Sequence, residues 1–93
     1  MMKKHYSPGI PVLINQIKHD GKSAFIYLGK KHKKKRKFFS LSKNLDLDEA
    51  ASNLYWLMRL IKKKGYKKIQ IGKIPNIGPG IAINDRIKRA SKS

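Results

Sequence analysis

Two periods divide the chain. Its first half holds short apolar runs broken by turn residues, and its second half holds a helical repeat. Val12-Leu13-Ile14-Asn15-Gln16-Ile17 and Ser23-Ala24-Phe25-Ile26-Tyr27-Leu28 are rich in β-branched and aromatic residues and read as strands. Between them lies Lys18-His19-Asp20-Gly21-Lys22. An Asp-Gly pair favours the positive backbone angles of a tight reversal, so the two runs are expected to form an antiparallel hairpin. Phe38-Phe39-Ser40-Leu41 reads as a third strand and Lys68-Ile69-Gln70-Ile71-Gly72-Lys73-Ile74, ended by Pro75, as a fourth.

From Asp46 the apolar positions follow a helix: Leu47, Ala50, Ala51, Leu54, Leu57, Met58 and Ile61 fall on one stripe. Asp46 with Glu49 has capping-box spacing, and Lys62-Lys63-Lys64-Gly65 supplies a cationic end and a stop. A final helix is expected from near Gly80, with Ile83, Ile87 and Ala90 at i, i+4 and i+7. The expectation is a small two-layer α/β domain, Rossmann-like, with a roughly four-stranded mixed sheet: an N-terminal hairpin, then β-α-β-α. If the third and fourth strands are parallel neighbours, the helix between them makes a right-handed crossover. Residues 1–11, with two prolines and Gly9, read as an ordered linker to a domain over 12–93.

Ninety-three residues suffice for one domain. With no cysteine there is no disulfide or thiolate chemistry. His5, His19 and His32 lie too far apart for metal-ligand spacing, so no metal site is expected. The five acidic residues suggest no acid–base pair, no serine sits in a nucleophile motif, and no catalytic residue is assigned. No apolar run reaches the length of a membrane-spanning helix and no secretory segment is visible, so a cytoplasmic location without a membrane partner is expected.

The formal charge of +18 changes the picture most. Such a field attracts polyanions with a salt-sensitive affinity. Most of the excess is lysine, which also follows from an AT-rich coding bias. In the run over residues 30–37, Lys33, Lys34, Lys35 and Arg36 are candidates for RNA phosphate contact; a self-repelling, solvated mobile loop needs no such role, and both readings stay open. Gly78 and Gly80 form either an anion site at a helix start or simply a tight turn. Asn84, Asp85 and Arg86 are expected to cap or pair locally, with Asp85 near the helix start. Tyr55 and Trp56 lie off the main stripe as a candidate interface. Alternatively, Tyr55 packs under the last helix and Trp56 lies on lysine stems.

Three segments go beyond generic patterning: Met1-Met2-Lys3-Lys4-His5-Tyr6-Ser7-Pro8, Leu47-Asp48-Glu49-Ala50-Ala51-Ser52-Asn53-Leu54-Tyr55, and Ile74-Pro75-Asn76-Ile77-Gly78-Pro79-Gly80-Ile81-Ala82-Ile83-Asn84-Asp85-Arg86-Ile87-Lys88-Arg89-Ala90-Ser91. In this order and spacing they resemble the C-terminal accessory domain of threonylcarbamoyl-AMP synthase, from the linker that leaves the YrdC-like catalytic domain onward. Gly78-Pro79-Gly80 departs from that family's Gly-Leu-Gly. The resemblance implies a non-catalytic accessory or regulatory domain in threonylcarbamoyl-AMP synthesis for tRNA threonylcarbamoyladenosine modification. It would act through a catalytic domain, supplied in trans or by the parent protein, that uses ATP, L-threonine and bicarbonate. It also implies that His5, Tyr6, Ser7 and Pro8 contact that domain. The chain is expected to begin at the linker without a catalytic domain before it. A basic RNA-binding module, with tRNA as partner, and an inert split-gene remnant are the alternatives.

Overall fold

The helical stripe forms α1, Leu47–Lys63, and its caps follow from the sequence with one addition. Asp46 Oδ1 accepts the backbone N–H groups of Asp48 and Glu49 at 2.9 and 3.2 Å. Glu49 does not reach back to the Asp46 N–H; that group donates to Ser42 Oγ at 3.0 Å, and the Ser42 hydroxyl donates to Glu49 Oε1 at 2.6 Å. A serine outside the helix thus closes the box through one extra link, satisfying the donors a helix start leaves open. The second helix, α2, covers Pro79–Ser91 with Pro79 in its first turn, where a missing N–H costs nothing.

In the computed structural model, which describes residues 9–30 and 36–92, the strands are β1 (Val12–Gln16), β2 (Ala24–Tyr27), β3 (Phe38–Ser40) and β4 (Ile69–Gly72). They form one sheet in the order β1-β4-β2-β3, with all three pairings parallel. Two expectations are corrected. The sheet is parallel, not mixed, and β1 and β2 are not a hairpin: β4 lies between them, with Ile69 opposite both Val12 and Ala24. Nor are β3 and β4 neighbours, since β2 separates them.

Asp20-Gly21 does turn the chain, because Asp20 Oδ1 accepts the N–H groups of Lys22 and Ser23 at 2.8 and 2.7 Å. An aspartate side chain commonly holds a turn in this way. What it makes is a short return to the other side of β4. Gln70, buried in the middle of β4, fastens that return: its amide nitrogen donates to Gln16 Oε1 at 2.8 Å and to the Lys18 carbonyl at 3.0 Å, and its oxygen accepts the Asp20 N–H at 2.9 Å. β1 carries a bulge, since Leu13 pairs Gln70 while Gln16 pairs Gly72, and Asn15 absorbs the extra residue at φ 54°.

Alternation along the strands sorts the sheet into two faces. Val12, Ala24, Ile26, Ile69 and Ile71 join Leu54, Leu57, Met58 and Ile61 of α1 and Ile83, Ile87 and Ala90 of α2 in one buried cluster. The helical stripe read from sequence is therefore the core-facing one. On the opposite face, Phe25 stacks on Phe38 at 5.0 Å between ring centres, and His19 of the return loop meets both edge-on at 5.9 and 4.8 Å. Both arrangements are ones that aromatic quadrupoles favour. One layer is helical and the other is this loop-borne aromatic cover. Among the described residues no helix is long and apolar enough to cross a membrane.

Candidate functional site

The five acidic side chains are distributed unevenly, and most are engaged. Asp46, Asp48 and Glu49 crowd the start of α1, where they suit the helix dipole. Asp20 accepts from the Ser23 hydroxyl at 2.6 Å and lies 3.3 Å from Lys68 Nζ. The Ser23 hydroxyl, then the N–H groups of Ser23 and Lys22, hold its carboxyl well below the usual carboxylate range, with Lys68 adding to the effect. Asp85 pairs with Arg89 at 3.1 Å, an i,i+4 contact. It sits past the first turn of α2, so the expected role at the helix start does not apply. Between Ala50 and Asn84 the chain has seven cations and no acid.

That cationic stretch includes the outer face of α1. Beyond its first turn the exposed positions are Ser52, Tyr55, Trp56, Arg59, Lys62 and Lys63. Trp56 is 52% exposed, and its indole N–H donates to Asn53 Oδ1 at 3.1 Å. Asn53 is itself tied to the sheet edge, its amide nitrogen donating to the Leu41 carbonyl at 2.8 Å. The indole is thus held through two hydrogen bonds to a buried segment. Tyr55 is half exposed, with the Arg59 guanidinium 5.5 Å from its ring centre. That separation is within cation–π range. Sequence reasoning singled out Tyr55 and Trp56 but missed Asn53; its position three residues before Trp56, one turn away on the same face, was the available signal.

At the carboxyl ends of the strands the chain turns tightly into α2. Gly78 has φ 50°, in a backbone conformation accessible in practice only to glycine. Gly80 is buried; its N–H donates to the Ile77 carbonyl at 2.8 Å, and a Cβ there would collide with the Pro75 carbonyl oxygen. Asn84 closes the turn from inside α2, donating to the Ile74 carbonyl at 3.0 Å and to Asn76 Oδ1 at 3.3 Å. A shallow depression of about 250 Å³ beside this turn is lined by Asn15, Lys73, Asn76, Asn84 and Lys88 together with apolar side chains. Such a lining donates hydrogen bonds and carries no acid–base pair.

At the amino end, Pro11 enters the sheet by accepting the Ile69 N–H at 2.9 Å, and Ile10 packs on the core, so the last residues of the expected linker belong to the folded unit. Gly9, at φ 82°, lies against the Lys62 side chain. His5, Tyr6, Ser7 and Pro8 fall outside the described residues, as do Lys33, Lys34 and Lys35. Arg36 is exposed, and Lys37 donates to the Gly21 carbonyl at 2.7 Å, bracing one end of the basic run against the Asp-Gly turn. Among the described residues no group of three His, Cys, Asp or Glu side chains is placed to hold a metal ion.

The family model for the threonylcarbamoyl-AMP synthase C-terminal domain matches residues 1–92. The chain belongs to that family. No curated protein and no solved structure matches it. Within the threonylcarbamoyl-AMP synthase C-terminal domain, the sites described above divide into two kinds. The turn of residues 75–80 and the Gln70 anchorage maintain the fold. Among the described residues, the outer face of α1 is tied back through Asn53 to the Leu41 carbonyl, and its Lys62 lies against Gly9.

Proposed function

We propose that this domain is a non-catalytic accessory unit of threonylcarbamoyl-AMP synthesis, acting on a catalytic domain whose product serves tRNA modification. The match of the whole residue range 1–92 to the synthase's C-terminal domain carries this reading. The chemistry of the chain supports it. Most of the acids cap a helix or pair locally, and the depression at the strand ends is lined by asparagine, lysine and apolar side chains with no carboxylate, histidine or hydroxyl. The catalytic domain, with its ATP, L-threonine and bicarbonate, is the partner, and residues 5–8 are the stretch that would reach it.

The geometry of Gly9, Ile10 and Pro11 is consistent with that role. Ile10 and Pro11 are built into the folded unit, so a displacement at residues 5–8 would be passed to β1 instead of being lost in slack chain. Titrating a catalytic domain with this chain should change its ATP- and threonine-dependent turnover. Replacing Tyr6 by Ala should weaken the effect. Turnover and ATP affinity unchanged at saturating chain would refute the accessory role.

A further inference from the structure

We propose that the outer face of α1 is a stacking platform for an unpaired nucleotide of single-stranded RNA, with Trp56 as the platform and Arg59 and Lys63 as phosphate partners. Sequence-tolerant single-strand binding combines an exposed aromatic ring with a cationic track along the backbone. Both are present here. Trp56 is half exposed, and Arg59 and Lys63 follow it at i+3 and i+7 on the same helix. At the rise of an α-helix, all three lie within two turns of one another.

The ring is also held in place. Its N–H is engaged by Asn53, which is anchored to the Leu41 carbonyl, so docking a base costs little side-chain ordering. What the indole still offers is a π surface, which a base can use and a phosphate alone cannot.

Charge complementarity selects the occupant. No acid lies in the chain between Ala50 and Asn84, and the net charge is +18. The large exposed aliphatic side chains lie elsewhere: Leu13 and Ile17 in and after β1, Leu45 before α1, and Ile77 and Ile81 around the start of α2. Beyond its first turn, where Asp48 and Glu49 are exposed, the outer face of α1 is aromatic and cationic with no large exposed aliphatic residue. This inference is independent of the accessory role, and either can fail without the other.

Trp56 is the only tryptophan, so intrinsic fluorescence reads the site directly. Single-stranded oligouridylate of about ten nucleotides should quench Trp56 emission saturably, with an affinity that falls as salt rises. Long-chain polyphosphate should bind without quenching. Trp56→Leu should weaken oligouridylate binding about tenfold, read by anisotropy of a labelled RNA, while Trp56→Tyr keeps most of it. Polyphosphate affinity should be the same for all three proteins, and their far-UV circular dichroism should be that of the parent fold. The proposal is overturned if polyphosphate quenches as strongly as RNA, or if a folded Trp56→Leu protein keeps its RNA affinity unchanged. It is overturned equally if Trp56 is shielded from a soluble quencher by the catalytic domain, or by self-association at high concentration, and not by RNA.

Discussion

Replacing Gly80 by Ala pits local preference against packing, and the two predict opposite signs. Gly80 lies at the second position of α2. At a helical position alanine is favoured over glycine by about 1 kcal/mol, through helix propensity and a less flexible unfolded chain. Local accounting alone makes the variant more stable. The surroundings reverse this. A Cβ on Gly80 would lie far inside van der Waals contact with the Pro75 carbonyl oxygen, 3.1 Å from the Pro75 carbonyl carbon and 3.6 Å from Leu47 Cδ1. Two of these are backbone atoms of a turn that cannot rotate away as a side chain can.

Relief requires α2 to lift from the turn or the turn to open. Either movement strains the Gly80 N–H to Ile77 bond and the Asn84 to Ile74 bond. Overpacking of this kind costs about 1–3 kcal/mol and each weakened hydrogen bond about 0.5–1.5 kcal/mol. After the propensity gain is set against these costs, the net loss centres on about 3 kcal/mol. For a domain of this size that lowers the melting temperature by roughly 10–25 °C. Urea unfolding followed by far-UV circular dichroism measures it. A Gly80→Ala protein as stable as the parent, or more so, would refute the reasoning and remove the close approach of α2 to Pro75 on which it stands.

Gln70→Ala leaves the Asp20 N–H and the Lys18 carbonyl without their partner. It should cost about 2–3 kcal/mol, with amide exchange accelerated more in the connection after β1 than elsewhere. Met58 is a buried side chain of the shared core. Met58→Ala should cost about 2–5 kcal/mol in urea unfolding, with circular dichroism of the folded state preserved. The carboxyl of Asp20 is held below its unfolded value, chiefly by the Ser23 hydroxyl. Its contribution is therefore present above about pH 4 and is lost as pH falls from there toward the folded pKa. The unfolding midpoint should drop on acidification below about pH 4, and Asp20→Asn should flatten that part of the profile.

The helices were legible because their signals are local. The stripe from Ala50 to Ile61 and the i, i+4, i+7 series of α2 mark buried faces whatever the helices pack against. Strand positions were legible for the same reason. Strand order was not, since β4, the last strand in the chain, inserts between β1 and β2. Asp20-Gly21 signals a reversal, yet a reversal within the connection from Gln16 to Ala24 serves an antiparallel neighbour or a parallel strand one place further on. The distinguishing residue was Gln70, a polar side chain within the apolar run Ile69-Gln70-Ile71. A central strand buries both faces, and a buried glutamine has to be satisfied. Its partners are Gln16 at the end of β1 and Lys18 and Asp20 just after it, which places that connection across β4.

Charge was legible as a total but not as a shaped surface. The run over residues 30–37 draws the eye because its cations are adjacent in sequence, but a block of lysines alone offers a polyanion a field without a shape. Folding sets other cations beside aromatic rings. One turn of α1 brings Arg59 beneath Tyr55 and leaves Trp56 beside it, pinned through Asn53 to a strand end that the sequence gives no reason to connect with it. Neutralising Arg36 should therefore lower RNA affinity only by its share of the salt-dependent part, equally for RNA and polyphosphate. Losing Trp56 should instead separate the two ligands. If the two substitutions gave the same ratio of RNA to polyphosphate affinity, binding would be set by net charge alone, and the fixed indole would have no part in it.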